Sequence, residues 1–239
     1  MRPLTVFALG AASLLACTGP TDPAPSLDGL WSLDSSSAGV PPRTMTLNQR
    51  GTVITGFGTA MGVDVPIQIT VTGTYDPRTT TSPAAATLRF AFDNGGGVTV
   101  DYAGTLVSAD LLVGSAVYYN ITTTPISGSL SFRRVRASDG SATGLEGTVR
   151  RGPITPVCQV GIPCDAPFSG SFQVWGSRFL AARFRSDSAG RYEVLLSPGT
   201  YSVVPDSGAA VWPSGQSRAV TVGPVGLTHA DLEFDTGIR

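Results

Sequence analysis

From Leu30 to Val135 the chain alternates apolar and polar residues, run after run, and no segment carries a convincing helical stripe. Leu88, Phe90 and Phe92 alternate with Thr87, Arg89 and Ala91; Ile67, Ile69, Val71 and Tyr75 alternate with Gln68, Thr70, Thr72 and Thr74. Such a period lines one face of a β-strand with apolar side chains and leaves the other polar. Turn-forming clusters punctuate the runs at Gln49-Arg50-Gly51, Asp76-Pro77-Arg78, Asp93-Asn94-Gly95-Gly96-Gly97 and Ser108-Ala109-Asp110. The expected fold is all-β, with eight strands near 30–34, 44–49, 52–60, 66–75, 86–93, 98–107, 111–119 and 126–135. Short connections make sequential strands antiparallel neighbours. Eight such strands close into an up-and-down barrel or remain a meander sheet; alternation alone does not separate the two.

Gly29-Leu30-Trp31 opens the first of these strands, and Arg133-Arg134 lies on the last. The combination resembles the calycin pattern of lipocalins and avidins. That resemblance implies a barrel over 28–136, closed at one end where Gly29 and Trp31 pack and Arg134 lies across the indole. The inward positions carry almost no charge, among them Met45, Leu47, Val100, Val113 and Val117. If the barrel is hollow, Tyr75, Phe90, Tyr102 and Leu130 line a site for a small apolar ligand, with a tyrosine hydroxyl as its polar contact. A core filled by side chains is the alternative.

The amino terminus is read as a targeting segment. Met1-Arg2 is followed by an apolar stretch from Leu4 to Ala16, too short to span a bilayer as a helix. Leu14-Leu15-Ala16-Cys17 resembles the bacterial lipobox, with Leu15 where a smaller residue is usual. The resemblance implies a signal peptide over 1–16 and acylation of Cys17. Residues 17–27 then form a Pro-rich tether, and the chain is held by its acyl chains in the bacterial cell envelope, on a periplasmic or extracellular face. In a cell with two membranes, the residue after Cys17 favours the outer one.

A polar stretch, 137–143, marks the boundary with a second β unit. Asp187 to Gly190 and Pro198-Gly199 are turn signals around Tyr192, Val194 and Leu196, with Tyr201 and Val203 on the returning strand. Together with 144–149, 219–222 and 230–234, this spacing resembles the carboxypeptidase regulatory-like family. The resemblance covers about 144–237 and implies a seven-stranded transthyretin-like sandwich, a module without chemistry of its own. With Cys17 acylated, Cys158 and Cys164 remain an even pair in an oxidising compartment and are expected to form a disulfide.

Composition narrows the chemistry. All 16 basic residues are arginine, and the single histidine is His229. A phosphate loop ending in Gly-Lys-Ser/Thr and a Schiff-base lysine are therefore excluded. With 16 basic against 17 acidic residues there is no cationic excess for nucleic acid. His229, Asp231 and Glu233 fall in one row of the last strand, as a solvated face would also place them. Asp93 and Asp101 flank a turn, where acids are ordinary. Trp175 and Trp212 either stack on sugars or cap the core, with Trp212 the better candidate for a surface contact. No cofactor, metal or catalytic residue is expected. The expected function is a non-enzymatic, membrane-anchored binding lipoprotein. It holds a small apolar ligand in the barrel or, alternatively, contacts a protein or cell-wall glycan through the second unit.

Overall fold

A computed structural model describes residues 25–37, 39–61, 66–76, 85–92, 97–120, 123–177, 179–209 and 211–239. The signal segment, Cys17, most of the tether, Asp93 and the turns after Asp76 and Phe92 up to Gly97 lie outside the described residues.

Eight strands close a barrel: β1 (Gly29–Ser36), β2 (Pro42–Arg50), β3 (Val53–Met61), β4 (Pro66–Tyr75), β5 (Ala85–Phe92), β6 (Thr99–Ser108), β7 (Leu111–Asn120) and β8 (Thr123–Arg134). Each pairs antiparallel with the next. β8 returns to β1 with Trp31 opposite Arg134, so closure removes both edges and the open sheet. Burial follows the alternation. Met45, Leu47, Ile69, Val71, Leu88, Phe90, Val100 and Leu130 all point inward and are buried. Val113 and Val117 do not follow their expected phase: Leu112, Ala116 and Tyr118 fill those inward positions, and Val113 faces solvent. Leu111-Leu112-Val113 is apolar on both faces, and a register shift in β6 at Leu106/Ser108 precedes it, so the pattern carried no phase there.

Residues 137–141 form a turn closed by Asp139 N–H to Arg136 O and Ala142 N–H to Asp139 O, both 2.9 Å. Two further sheets follow. In one, β9 (Thr143–Gly152) lies between antiparallel β13 (Arg191–Leu195) with the two-residue β10 (Ala166–Pro167), and parallel β16 (Gly226–His229) with β17 (Leu232–Asp235). The other runs β12 (Leu180–Arg185), β11 (Ser171–Trp175), β14 (Gly199–Pro205), β15 (Arg218–Val222). The sheets share a core in which Phe172 stacks on Phe184 and Phe234 (5.0 and 5.6 Å), and Phe184 on Tyr192 (4.5 Å). β16 and β17 are one edge strand interrupted at Ala230-Asp231, where Ala230 O approaches Gly147 so closely that a side chain there would collide.

The outer face of β2 and β3 docks on this second body. Phe57 points out of the barrel, is 1% exposed, and packs with the sandwich core, edge-on to Tyr201 at 5.3 Å. Gly176 and Gly199 form the hollow: a Cβ at either would stand 2.7 or 2.9 Å from the Phe57 ring. Buried polar groups around it are mutually satisfied. Ser197 N–H donates to Thr46 Oγ1 (2.7 Å), Ser197 Oγ donates to Phe57 O (3.1 Å), and Tyr201 OH donates to Ser197 O (2.7 Å). Thr55 Oγ1 to Leu180 O (3.1 Å) and Arg183 to Asn48 (3.3 Å) extend the contact toward its rim.

Candidate functional site

At the barrel end where the first strand begins, Leu27 is fully buried beneath the strands and accepts a hydrogen bond at its carbonyl from the Trp31 indole N–H (2.9 Å). Arg134 lies 4.3 Å above the indole centroid. Its guanidinium also donates to the carbonyls of Ser26, Asp28 and Ala109, and Asp110 stands 3.6 Å away. Burial pulls the Arg134 pKa down, Asp110 and Asp28 push it back, and a guanidinium remains charged throughout. Gly29, with φ +116°, brings the chain past Arg134, and a side chain there would press on its Nη1 at 3.2 Å. Gly29, Trp31 and Arg134 thus meet as one plug, in which sequence reading missed Leu27.

The candidate lining residues Tyr75, Phe90, Tyr102 and Leu130 are all buried in the barrel core. Phe90, Tyr102 and Phe132 meet with ring centroids 5.7 to 6.1 Å apart, so side chains occupy the space about the axis. Tyr102 lies flat over Gly104, whose missing side chain makes the room. Among the described residues, no partner stands within hydrogen-bond reach of the Tyr75 or Tyr102 hydroxyls, each on a residue 1% exposed. Burial raises both phenol pKa values, so both carry their proton.

Cys158 and Cys164 form the expected disulfide, with Cα atoms 5.3 Å apart. They wall a groove of about 490 Å³ together with Arg150, Arg151, Pro153, Asp165, Arg218, Phe234 and Asp235. Arg150 is paired with Asp165, while Arg218 lies over the Phe234 ring at 5.3 Å. Trp212 is 64% exposed; its backbone N–H donates to Asp235 O (2.8 Å), and its ring covers Gly237. The disulfide loop and Trp212 therefore flank one edge of the second body. Trp175 is exposed, though less than Trp212, donates from its indole to Gln173 (3.1 Å), and borders a smaller groove against β2 and β3.

The remaining candidates separate. Asp101 is held in a two-point pair with Arg89 on the barrel exterior (2.6 and 2.9 Å). His229 Nε2 pairs with one oxygen of Asp231 at 3.3 Å, and the other oxygen accepts from the Thr148 N–H and hydroxyl (2.8 and 2.7 Å). Among the described residues no group of three His, Cys, Asp or Glu side chains could hold a metal ion. No known family, curated protein or solved structure matches the chain.

Four carboxylates are held below their ordinary pKa of 3.8: Asp101 by Arg89, Asp165 by Arg150, Asp231 by Thr148, and Asp235, down to about 2, by Arg239. A depressed folded-state pKa stabilises the fold above the unfolded value and loses that contribution as pH falls through the folded one. Their contribution is accordingly constant from pH 7 to about 5. It then falls as pH drops below 4 toward 2, which denaturant midpoints across that range will record. High salt should flatten the part of the fall that belongs to the three arginine pairs, which are exposed or partly so, and leave the Asp231 part.

Proposed function

We propose that the chain is a non-enzymatic lipoprotein of the bacterial cell envelope, anchored through acyl chains on Cys17, whose second body makes the functional contact with a surface protein or cell-wall glycan. The observation that carries this reading is the joint placement of the disulfide loop, its 490 Å³ groove and exposed Trp212 on one edge. The rings meeting at the barrel axis favour the barrel as a pedestal. An exposed tryptophan beside a stapled loop is the arrangement a sugar face or a peptide side chain can stack upon. The second body retains the carboxypeptidase regulatory-like reading: counted with β16 and β17 as one strand and without two-residue β10, it has seven strands. A glycan array probed with wild type and Trp212→Ala tests the contact, and matching blank arrays would remove the glycan arm. Mass spectrometry of the mature amino terminus tests the anchor, which a free thiol on Cys17 refutes.

A second reading, a small ligand inside the barrel, is favoured by one observation, the unpartnered Tyr75 and Tyr102 hydroxyls. Tyr102→Phe separates the two. For a pedestal, removing a desolvated hydroxyl is expected to raise stability by about 1 kcal/mol. For a carrier, the same change lowers stability and releases a small molecule that native mass spectrometry of protein from its own host detects.

A further inference from the structure

We propose that the groove between Arg151 and Arg185 is a binding subsite for an acidic sugar residue, a polyhydroxylated ligand bearing a carboxylate or a sulfate ester. It is a different groove from the one beside the disulfide, sharing only Arg151 with it, and does not depend on Trp212. Its volume is about 470 Å³, and its walls are Arg151, 168–171, Arg185 and 206–209. The Arg151 guanidinium lies on the Phe168 ring at 5.0 Å, and Phe168 is itself wedged edge-on against Phe172 and Phe234 (5.5 and 6.4 Å). Arg185 stands opposite Ser171 across the β11–β12 ladder. Among the described residues neither arginine has a carboxylate within 4.0 Å; Arg43, Arg50, Arg183, Arg191 and Arg218 share that lack, but Arg151 and Arg185 are the two that line this groove. Two unpaired guanidinium forks over one groove suit a planar or tetrahedral oxyanion, which each can meet with two N–H groups.

The rest of the lining selects what carries that oxyanion. Ser169, Ser171 and Ser207 supply hydroxyls. Asp206 accepts from Gln173 Nε2 (2.6 Å) with one oxygen and borders the groove. A carboxylate there repels a bare inorganic anion but accepts hydrogen bonds from sugar hydroxyls. The floor is fixed. The buried Ser186 hydroxyl donates to Phe168 O (2.6 Å) and accepts from Gly170 N–H (3.0 Å), and Asp206 N–H donates to Ser171 O (2.9 Å). A pocket of this volume admits one or two sugar rings.

The test is calorimetric titration of the purified chain with a glucuronate-containing disaccharide, a sulfated disaccharide, their neutral counterpart and inorganic sulfate. At least one acidic disaccharide should bind at least tenfold more tightly than both the neutral sugar and inorganic sulfate. Arg185→Gln, at an exposed position, should weaken that binding about tenfold, while Arg43→Gln on the barrel and Trp212→Ala leave it unchanged. Equal affinity for the neutral sugar, or sulfate binding as tightly as the sugars, overturns the proposal. So does an Arg151→Gln/Arg185→Gln variant that keeps its affinity with an unaltered circular dichroism spectrum. Loss of binding in Trp212→Ala alone would assign the sugar to the disulfide edge and overturn this site while leaving the proposed contact function standing.

Discussion

Replacing Phe57 with alanine is expected to destabilise the protein by about 3–5 kcal/mol, the range for emptying a buried phenylalanine site. It should also split a single unfolding transition into two. Phe57 is the one barrel side chain among the described residues counted in the core of the second body, and its ring fills a hollow built from two glycines and Tyr201. The backbone cannot collapse to refill that hollow, because Thr46, Ser197 and the Phe57 carbonyl hold the two bodies at fixed spacing. The cavity therefore persists and adds to the lost transfer energy. Coupling is weakened as well, since the remaining junction keeps only its polar contacts and the small apolar cluster of Leu30, Val135, Ala142 and Leu195. Differential scanning calorimetry reads both effects. A calorimetric enthalpy still equal to the van't Hoff value, with less than 1 kcal/mol lost, would show that the bodies are coupled elsewhere. Phe57→Leu, which refills most of the volume, should keep one transition.

How much of this was legible in the sequence depends on whether a residue's role is local. The eight strands were, because alternation and turn residues act within a few positions. Closure was suggested by Trp31 and Arg134, which sit opposite one another across the final pairing. The docking of two bodies was not, although a trace of it was present. Phe57 lies between Gly56 and Gly58, so its phase opposes inward-facing Ile54, and an aromatic on the polar face of a strand asks for a cover. Nothing local says which surface supplies that cover. Gly199 reads as an ordinary turn glycine, and Gly176 carries no signal at all, until the ring they accommodate is known. Leu27 was hidden for a different reason: it belongs to a Pro-rich stretch read as a tether, yet Arg134 and Gln49 bind the 26–28 backbone and drive its side chain into the barrel. Arg151 and Arg185 were indistinguishable in sequence from the paired arginines, because pairing is settled by which strands become neighbours.

Arg134→Ala is expected to lower stability by about 3 kcal/mol, combining a cation–π contact with charge-assisted hydrogen bonds to carbonyls, discounted for partial exposure and non-additivity. The side chain is 21% exposed and spans three segments: the indole of β1, the carbonyl of Ala109 in the β6–β7 turn, and the Ser26 and Asp28 carbonyls before the barrel. Arg134→Lys discriminates charge from geometry. A lysine keeps the attraction to Asp110 and a weaker contact with Trp31, but a single ammonium cannot reach carbonyls on both sides of the ring at once. It should recover less than half of the loss. In both variants Trp31 fluorescence should shift to the red as Leu27 loosens and water reaches the indole, and protease should cut near 25–28 before the barrel unfolds. An alanine variant within 1 kcal/mol of wild type, with unchanged emission, would mean that Leu27 closes this end without Arg134. The same contact fixes where the chain leaves the barrel toward Cys17. An acyl anchor at that residue would place the plugged end nearest the membrane, and loosening Arg134 would free the orientation of the whole two-body unit without detaching it.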